Sequence, residues 1–182
     1  MKMIETERLI LRDLSYGDAE NIEELAGEYE VAKTTLTIPH PYPKGVAQEF
    51  IASMKIAESE GKVVIFSIES KENSSFIGII NLNLQKNYHR GELAYWIGKP
   101  YWGRGYGTEA TKAIIKYGFE KLDLNKIFAT SFTNNPGSWR IMEKCGLKHE
   151  GTLRQHVKKL GEYIDLTYYG LLKDEYLNTM MR

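Results

Sequence analysis

Near the start of the chain, Leu9 and Leu11 alternate with Arg8, Ile10 and Arg12, a period of two that predicts a first strand. The period then lengthens. Ala19, Ile22, Ala26 and Tyr29 recur at helical spacing, as do Ala47, Phe50, Ile51, Met54 and Ala57. The Pro-rich run from Ile38 to Pro43 between them is unsuited to regular helix. Three strand-like runs follow, Val63 to Ser70, Phe76 to Leu84 and Glu92 to Ile97, with short polar connections that favour an antiparallel meander. A long helix carries Ala110, Ala113, Ile114, Tyr117 and Lys121 on one stripe. Ile127 to Phe132 reads as a strand and Ser138 to Cys145 as a short helix. Leu147 to Leu160 and Tyr163 to Leu172 read as a closing hairpin around Gly161-Glu162.

The strand ending near Ile97 and the one starting near Lys126 are joined through a helix, so as neighbours they would run parallel inside an otherwise antiparallel sheet. The expected architecture is an α/β fold: one domain over residues 1–182, with a mixed, mostly antiparallel sheet and helices on both faces. No repeat, low-complexity tract or linker divides the chain.

Composition narrows the function without naming it. Apolar residues make up 42% and charged residues 26% of the 182, as in a folded soluble protein. Lys plus Arg (24) equals Asp plus Glu (24), which argues against a nucleic-acid-binding domain. The single cysteine, Cys145, excludes an internal disulfide and suits a reducing compartment. The first twelve residues carry five charges, with no apolar run of signal-peptide or membrane-spanning type, so the expected location is the cytoplasm. His40, His89, His149 and His156 show no metal-ligand spacing, and no metal is assigned.

The candidate chemistry centres on Tyr101-Trp102-Gly103-Arg104-Gly105-Tyr106-Gly107-Thr108, between a strand and an amphipathic helix. Glycines at every second position let a backbone approach a ligand, and the helix start offers free N–H groups and a positive dipole end. That suits a pyrophosphate as well as it suits a plain turn. The Gly-Lys-Ser/Thr of a P-loop is absent, and Asp123 precedes the next strand where a Rossmann site wants an acid at its end. A second segment, Asn134-Asn135-Pro136-Gly137-Ser138, opens a helix that Gly146 closes; Asn and Ser there are in the first place capping residues.

Taken together, these segments resemble the GCN5-related N-acetyltransferase superfamily, in particular its branch of ribosomal-protein N-terminal acetyltransferases. Thr6 to Arg12 is similar to that branch's opening strand, and Pro41-Tyr42 through Ile51 to its acceptor-side loop and helix. Glu92 to Ile97, Tyr101 to Ala110 and Asn135 to Leu147 are similar to its core. The resemblance implies the acyl-CoA N-acyltransferase fold, with acetyl-CoA as co-substrate. The backbone of Trp102, Gly103, Arg104, Gly105, Tyr106, Gly107 and Thr108 would hold the CoA pyrophosphate. Ile97 and Gly98 would pair with the pantetheine amides, and Asn135 would bond the same arm. Many members carry Gln or Arg where this chain has Trp102, though the branch tolerates an aromatic there. Pro41, Tyr42 and Glu92 would border the acceptor.

The reaction implied is direct attack of an amine in a ternary complex, which needs a proton acceptor and a partner for the departing thiolate. The tyrosine that many members place on the helix after the Asn motif is Met142 here. Ser138 is the branch's substitute beside the sulfur, or else an N-cap hydroxyl, two roles that compete for one oxygen. Glu92 is the candidate base, sharing a strand face with Ala94 and Trp96, or else a strand-end carboxylate near Arg90. The acceptor would be a protein N-terminus, a small polyamine or another small amine. The alternative is a non-catalytic acyl-CoA-binding sensor on the same fold. Neither nucleic acid nor membrane is expected as partner, and Tyr168, Tyr169 and Tyr176, if exposed, would allow a homodimer.

Overall fold

The computed structural model describes residues 2–180. Two strands, β1 (Met3–Glu5) and β2 (Leu9–Asp13), precede three helices, α1 (Ala19–Gly27), α2 (Tyr29–Ala32) and α3 (Val46–Ser59). The meander is β3 (Val63–Ser70), β4 (Phe76–Gln85) and β5 (Arg90–Ile97). Then come α4 (Tyr106–Glu120), β6 (Lys126–Phe132), α5 (Pro136–Lys144), the hairpin β7 (Lys148–Lys159) and β8 (Glu162–Leu172), and α6 (Lys173–Met180). They form one eight-stranded sheet in the order β1-β2-β3-β4-β5-β6-β8-β7. All neighbours are antiparallel except β5 and β6, which run parallel as the crossover through α4 requires.

The continuous apolar run of β3 has its physical reason here: nearly every residue of that strand is buried, because helices cover both sheet faces. On one face Phe66, Ile80, Leu82 and Leu93 pack against Ile114, Ile115 and Phe119 of α4. On the other, Ile65 and Ile79 pack against Ile22 and Leu25 of α1 and Ile51 of α3. The α4 helix lies so close to the sheet that a Cβ at Gly118 would sit 2.8 Å from the Ile127 side chain. No helix among the described residues is long and apolar enough to cross a membrane.

Several elements depart from the periodicity. The first helical stripe breaks at Glu28, whose extended backbone separates Tyr29 into α2. Strand β1 and helix α6 carry no pattern of their own: β1 is three residues long, and α6 is anchored by Glu175 on Lys148 and Tyr176 on Glu120. The residue at the N-cap of α5 is Asn135, with Pro136 in the first turn, so Ser138 is not the cap. The expected exposed tyrosines are also corrected. Tyr169 is buried, Tyr168 is half-buried, and Tyr176 stacks on Phe119, which removes the ground offered for a dimer face.

Residues 13–30 carry seven carboxylates and no Lys or Arg, and the one just before α1 is structural. Asp18 is 2% exposed and accepts hydrogen bonds from the Arg12 guanidinium at 2.8 and 3.0 Å, from the Ser15 N–H at 2.9 Å and from the Ser67 hydroxyl at 2.8 Å. Burial alone would raise its pKa, but these bonds outweigh burial and hold the carboxyl below its ordinary value. A folded-state pKa below the unfolded one means the stabilisation is complete above the unfolded carboxylate pKa of about 3.9 and fades as pH falls through the depressed value. Asp18→Asn should therefore lose about 3 kcal/mol of stability in urea denaturation at neutral pH. The difference from the parent protein should narrow as pH is lowered from about 5 to about 2.

Candidate active site

Strands β5 and β6 are hydrogen-bonded only from Arg90–Leu93 against Lys126–Ala129, and the parallel ladder stops there. The β4–β5 ladder keeps one register throughout, and the Gly98 N–H continues it by donating to the Ile77 carbonyl at 2.8 Å. Antiparallel alternation then directs the backbone groups of residues 92, 94, 96 and 98 toward β4, and those of Leu93, Tyr95 and Ile97 toward β6. Beyond Leu93 these groups face a gap inside the sheet. The two backbone positions expected to pair with an amide-bearing arm differ in this respect. Gly98 is fully engaged, its carbonyl accepting from the Tyr101 N–H at 2.9 Å. The Ile97 carbonyl takes the Trp102 indole N–H at 2.7 Å, so the groups left open are the Ile97 N–H and both groups of Tyr95.

Glu92 and Ser138 lie on opposite faces of the sheet beside this gap. On β5, Glu92 shares its face with Trp96, which packs beside α1 and α3. It is half-buried, has no ion-pair or hydrogen-bond partner among the described residues, and burial pushes its carboxyl above the ordinary range. Tyr95 points to the α4–α5 side, where its hydroxyl donates to the Ser138 carbonyl at 2.9 Å and lies 3.2 Å from Ser138 Oγ. Ser138 thus bridges from the helix after β6 to strand β5. Asn135, at the start of the same helix, has its side-chain amide 3.4 Å from the Thr34 carbonyl.

The glycine loop sits at the end of β5. Gly103 and Gly105 have φ of +72° and +82°, which glycine alone adopts without strain, and a Cβ at Gly103 would meet nothing within 4 Å. The first helical bond of α4 runs from Glu109 to Gly105, and no backbone acceptor pairs the N–H groups of Gly103 through Thr108 among the described residues. Gly107 has a different reason to be glycine: a Cβ there would be 2.7 Å from the Ile141 side chain, so it sets the contact of α4 with α5. Such a cradle of open N–H groups at a helix start fits a pyrophosphate.

Residues from the far end of the sheet brace this loop. Arg8 donates to the Arg104 carbonyl at 2.9 Å, pairs with Glu109 at 2.7 Å and lies 4.7 Å over the Tyr106 ring. Thr6 donates to Glu109 at 2.6 Å. Burial raises the Glu109 pKa, yet the bonds from Thr6 and Arg8 hold it below the ordinary value. The sequence shows Thr6 and Arg8 only as part of a strand motif; the hundred-residue separation from Glu109 hides what they do.

Pro41 and Tyr42 lie in the loop between α2 and α3. Pro41 is exposed, whereas Tyr42 is half-buried against Gly27 and is shifted upward by burial and by the charge of Glu23. The loop is fastened by Glu23 on the Gly45 N–H at 2.9 Å and by the buried Lys159 on the Ile38 carbonyl at 2.5 Å. A polar hollow of about 510 Å³ between α1 and the β3–β4 turn touches neither Glu92 nor Ser138, and its Arg12 and Asp18 are already paired. Backbone geometry, not cavity size, therefore marks the candidate site. Gly105→Val should place a branched side chain at positive φ against Arg8 and weaken acetyl-CoA binding at least tenfold in calorimetric titration, with a cooperative melt retained.

Comparison with known proteins agrees with this geometry. Residues 8–148 match the family model described as an acetyltransferase (GNAT) domain. N-acetyltransferase p20 of Bacillus licheniformis, itself uncharacterised, is 34% identical over 97% of this chain and 99% of its own. YdaF of Bacillus subtilis, assigned provisionally as a ribosomal N-acetyltransferase, is 36% identical over 57% of each chain. The crystal structure of a GNAT-family acetyltransferase from Bacillus anthracis superposes with a TM-score of 0.84 at 26% identity, covering 95% of this chain and 99% of that one. The chain belongs to the GNAT acetyltransferase family as an acetyl-CoA-dependent N-acetyltransferase.

Proposed function

We propose that the chain, acting as one domain, transfers an acetyl group to a primary amine, either a protein N-terminus or a small polyamine. In this reading Glu92 serves as base and Ser138 as partner of the leaving sulfur. The observation that carries the reading is Glu92 itself: a half-buried carboxylate with no cation among the described residues is a standing penalty that a mere acyl-CoA-binding module has no use for. Asn135 and the open groups of Tyr95 and Ile97 are the residues to hold the pantetheine arm. The N–H groups of Gly103 through Thr108, with Trp102 fastening the loop, are those to hold the pyrophosphate.

Acetyl-CoA supplies the activated acetyl thioester. Glu92, directly or through one water, takes the proton from the acceptor nitrogen as that nitrogen forms its bond to the acetyl carbon. The carbon–sulfur bond breaks with its electron pair on sulfur, and the Ser138 hydroxyl donates a hydrogen bond to the thiolate, which takes its proton from solvent. Pro41 and Tyr42 border the acceptor from the loop after α2. YdaF's provisional assignment supports a protein N-terminus as acceptor. Glu20, Glu24 and Glu28 on the α1 side, which have no cation among the described residues, support a cationic one.

Ser138→Ala should lower kcat by roughly ten- to a thousandfold, at and below the ordinary contribution of acid–base groups. Because Asn135 occupies the cap position, the same substitution should cost only about 1 kcal/mol of stability. Glu92 must be ionised to act, so kcat should rise with pH through its raised pKa. Glu92→Gln should flatten that acidic limb, and a pH–rate profile identical to the parent's would remove Glu92 as the base.

A further inference from the structure

The GNAT reading gives work to the Tyr95 backbone but none to its side chain, yet the phenol bridges strand β5 to the helix that follows β6. We infer that Tyr95 is a positioning residue that holds the Ser138 hydroxyl in its working orientation beside the gap. The inference rests on Ser138 as partner of the leaving sulfur.

A phenol has a single hydrogen. Donated to the Ser138 carbonyl at 2.9 Å, it leaves the phenol oxygen as an acceptor, and the Ser138 hydroxyl is drawn to that oxygen at 3.2 Å. Two contacts to one residue, one to its backbone and one to its side chain, fix both the first turn of α5 and the serine rotamer. Without this the short hydroxyl of Ser138 would rotate among its wells, because no cap bond holds it. When the serine hydrogen turns toward the sulfur, the phenol hydrogen can follow to the serine oxygen, and the pair becomes two donors in series.

Tyr95 keeps its own proton throughout. Burial of the phenol raises its pKa far above the ordinary range, with the Ser138 bond opposing only in part, so it is no proton source and its effect passes through Ser138. The position is also apart from the helix tyrosine that Met142 replaces: Met142 is 1% exposed in the core, and the phenol comes from the strand instead.

Tyr95→Phe removes one oxygen and keeps the ring against the core, so a cooperative melt near the parent's is expected. Its kcat should fall about tenfold, the scale of one coupled hydrogen bond, with KM for acetyl-CoA within about twofold of the parent. In the Ser138→Ala background the same change should have no further effect on kcat. An unchanged kcat in Tyr95→Phe, or losses that multiply in the double variant, would overturn the positioning role. Full activity in Ser138→Ala would overturn the serine assignment and this inference together. A crippled Ser138→Ala beside an intact Tyr95→Phe would overturn the inference alone.

Discussion

The structure depends on a parallel ladder that stops after four residues. Sheets rarely leave backbone groups open in their interior, since each buried and unpaired group costs about 1–3 kcal/mol. Here the opening between β5 and β6 is built from both sides. Gly98 turns away to β4, and Trp102 closes the Ile97 carbonyl from the loop. On the β6 side Pro136 starts a helix four residues after Phe132, so that strand cannot follow β5 any further. In the proposed reading, an arm carrying amides would complete the ladder that the protein leaves unfinished.

The same opening separates two chemistries. Alternation along β5 sends Glu92 to the α1–α3 face and Tyr95, with Ser138, to the α4–α5 face. In the proposed reading, a base and a partner for the leaving group would approach one thioester from opposite sides without neutralising each other. Burial keeps the Glu92 pKa raised, with no cation against it among the described residues, while Asp18 and Glu109 are held low by Arg12 and Arg8. The glycine loop is positioned from the opposite end of the chain through Thr6, Arg8 and Glu109, so N-terminal strand, loop and α4 act as one support.

Periodicity made the meander, α3, α4 and the parallel crossover legible, because each of those elements buries a regular stripe. It failed where the reason for an element lies elsewhere in space. Strand β1 is defined by β2 alone, and α6 by contacts with Lys148, Glu120 and Phe119. Tyr29 continued the stripe of α1, yet the extended backbone of Glu28 broke it. Glu92 and the glycine loop stood out as candidates, since a carboxylate among apolar neighbours and an alternating glycine run are local signals. Of the two roles weighed for Ser138, the cap falls to Asn135, a shift that Pro136 in the first turn signalled. Tyr95 left no local trace: its partner is 43 residues away, and along the strand it is one of two adjacent aromatics.

The central claim is that the donor completes the broken ladder and the open helix start. It is tested most directly by residue-resolved amide hydrogen exchange with and without acetyl-CoA. The account predicts new protection at the amides of Tyr95, Ile97 and Gly103 through Thr108, and little change at Gly98, already bonded to Ile77. Protection absent from those amides, or concentrated instead around the polar hollow beside Asn21 and Ser74, would contradict it.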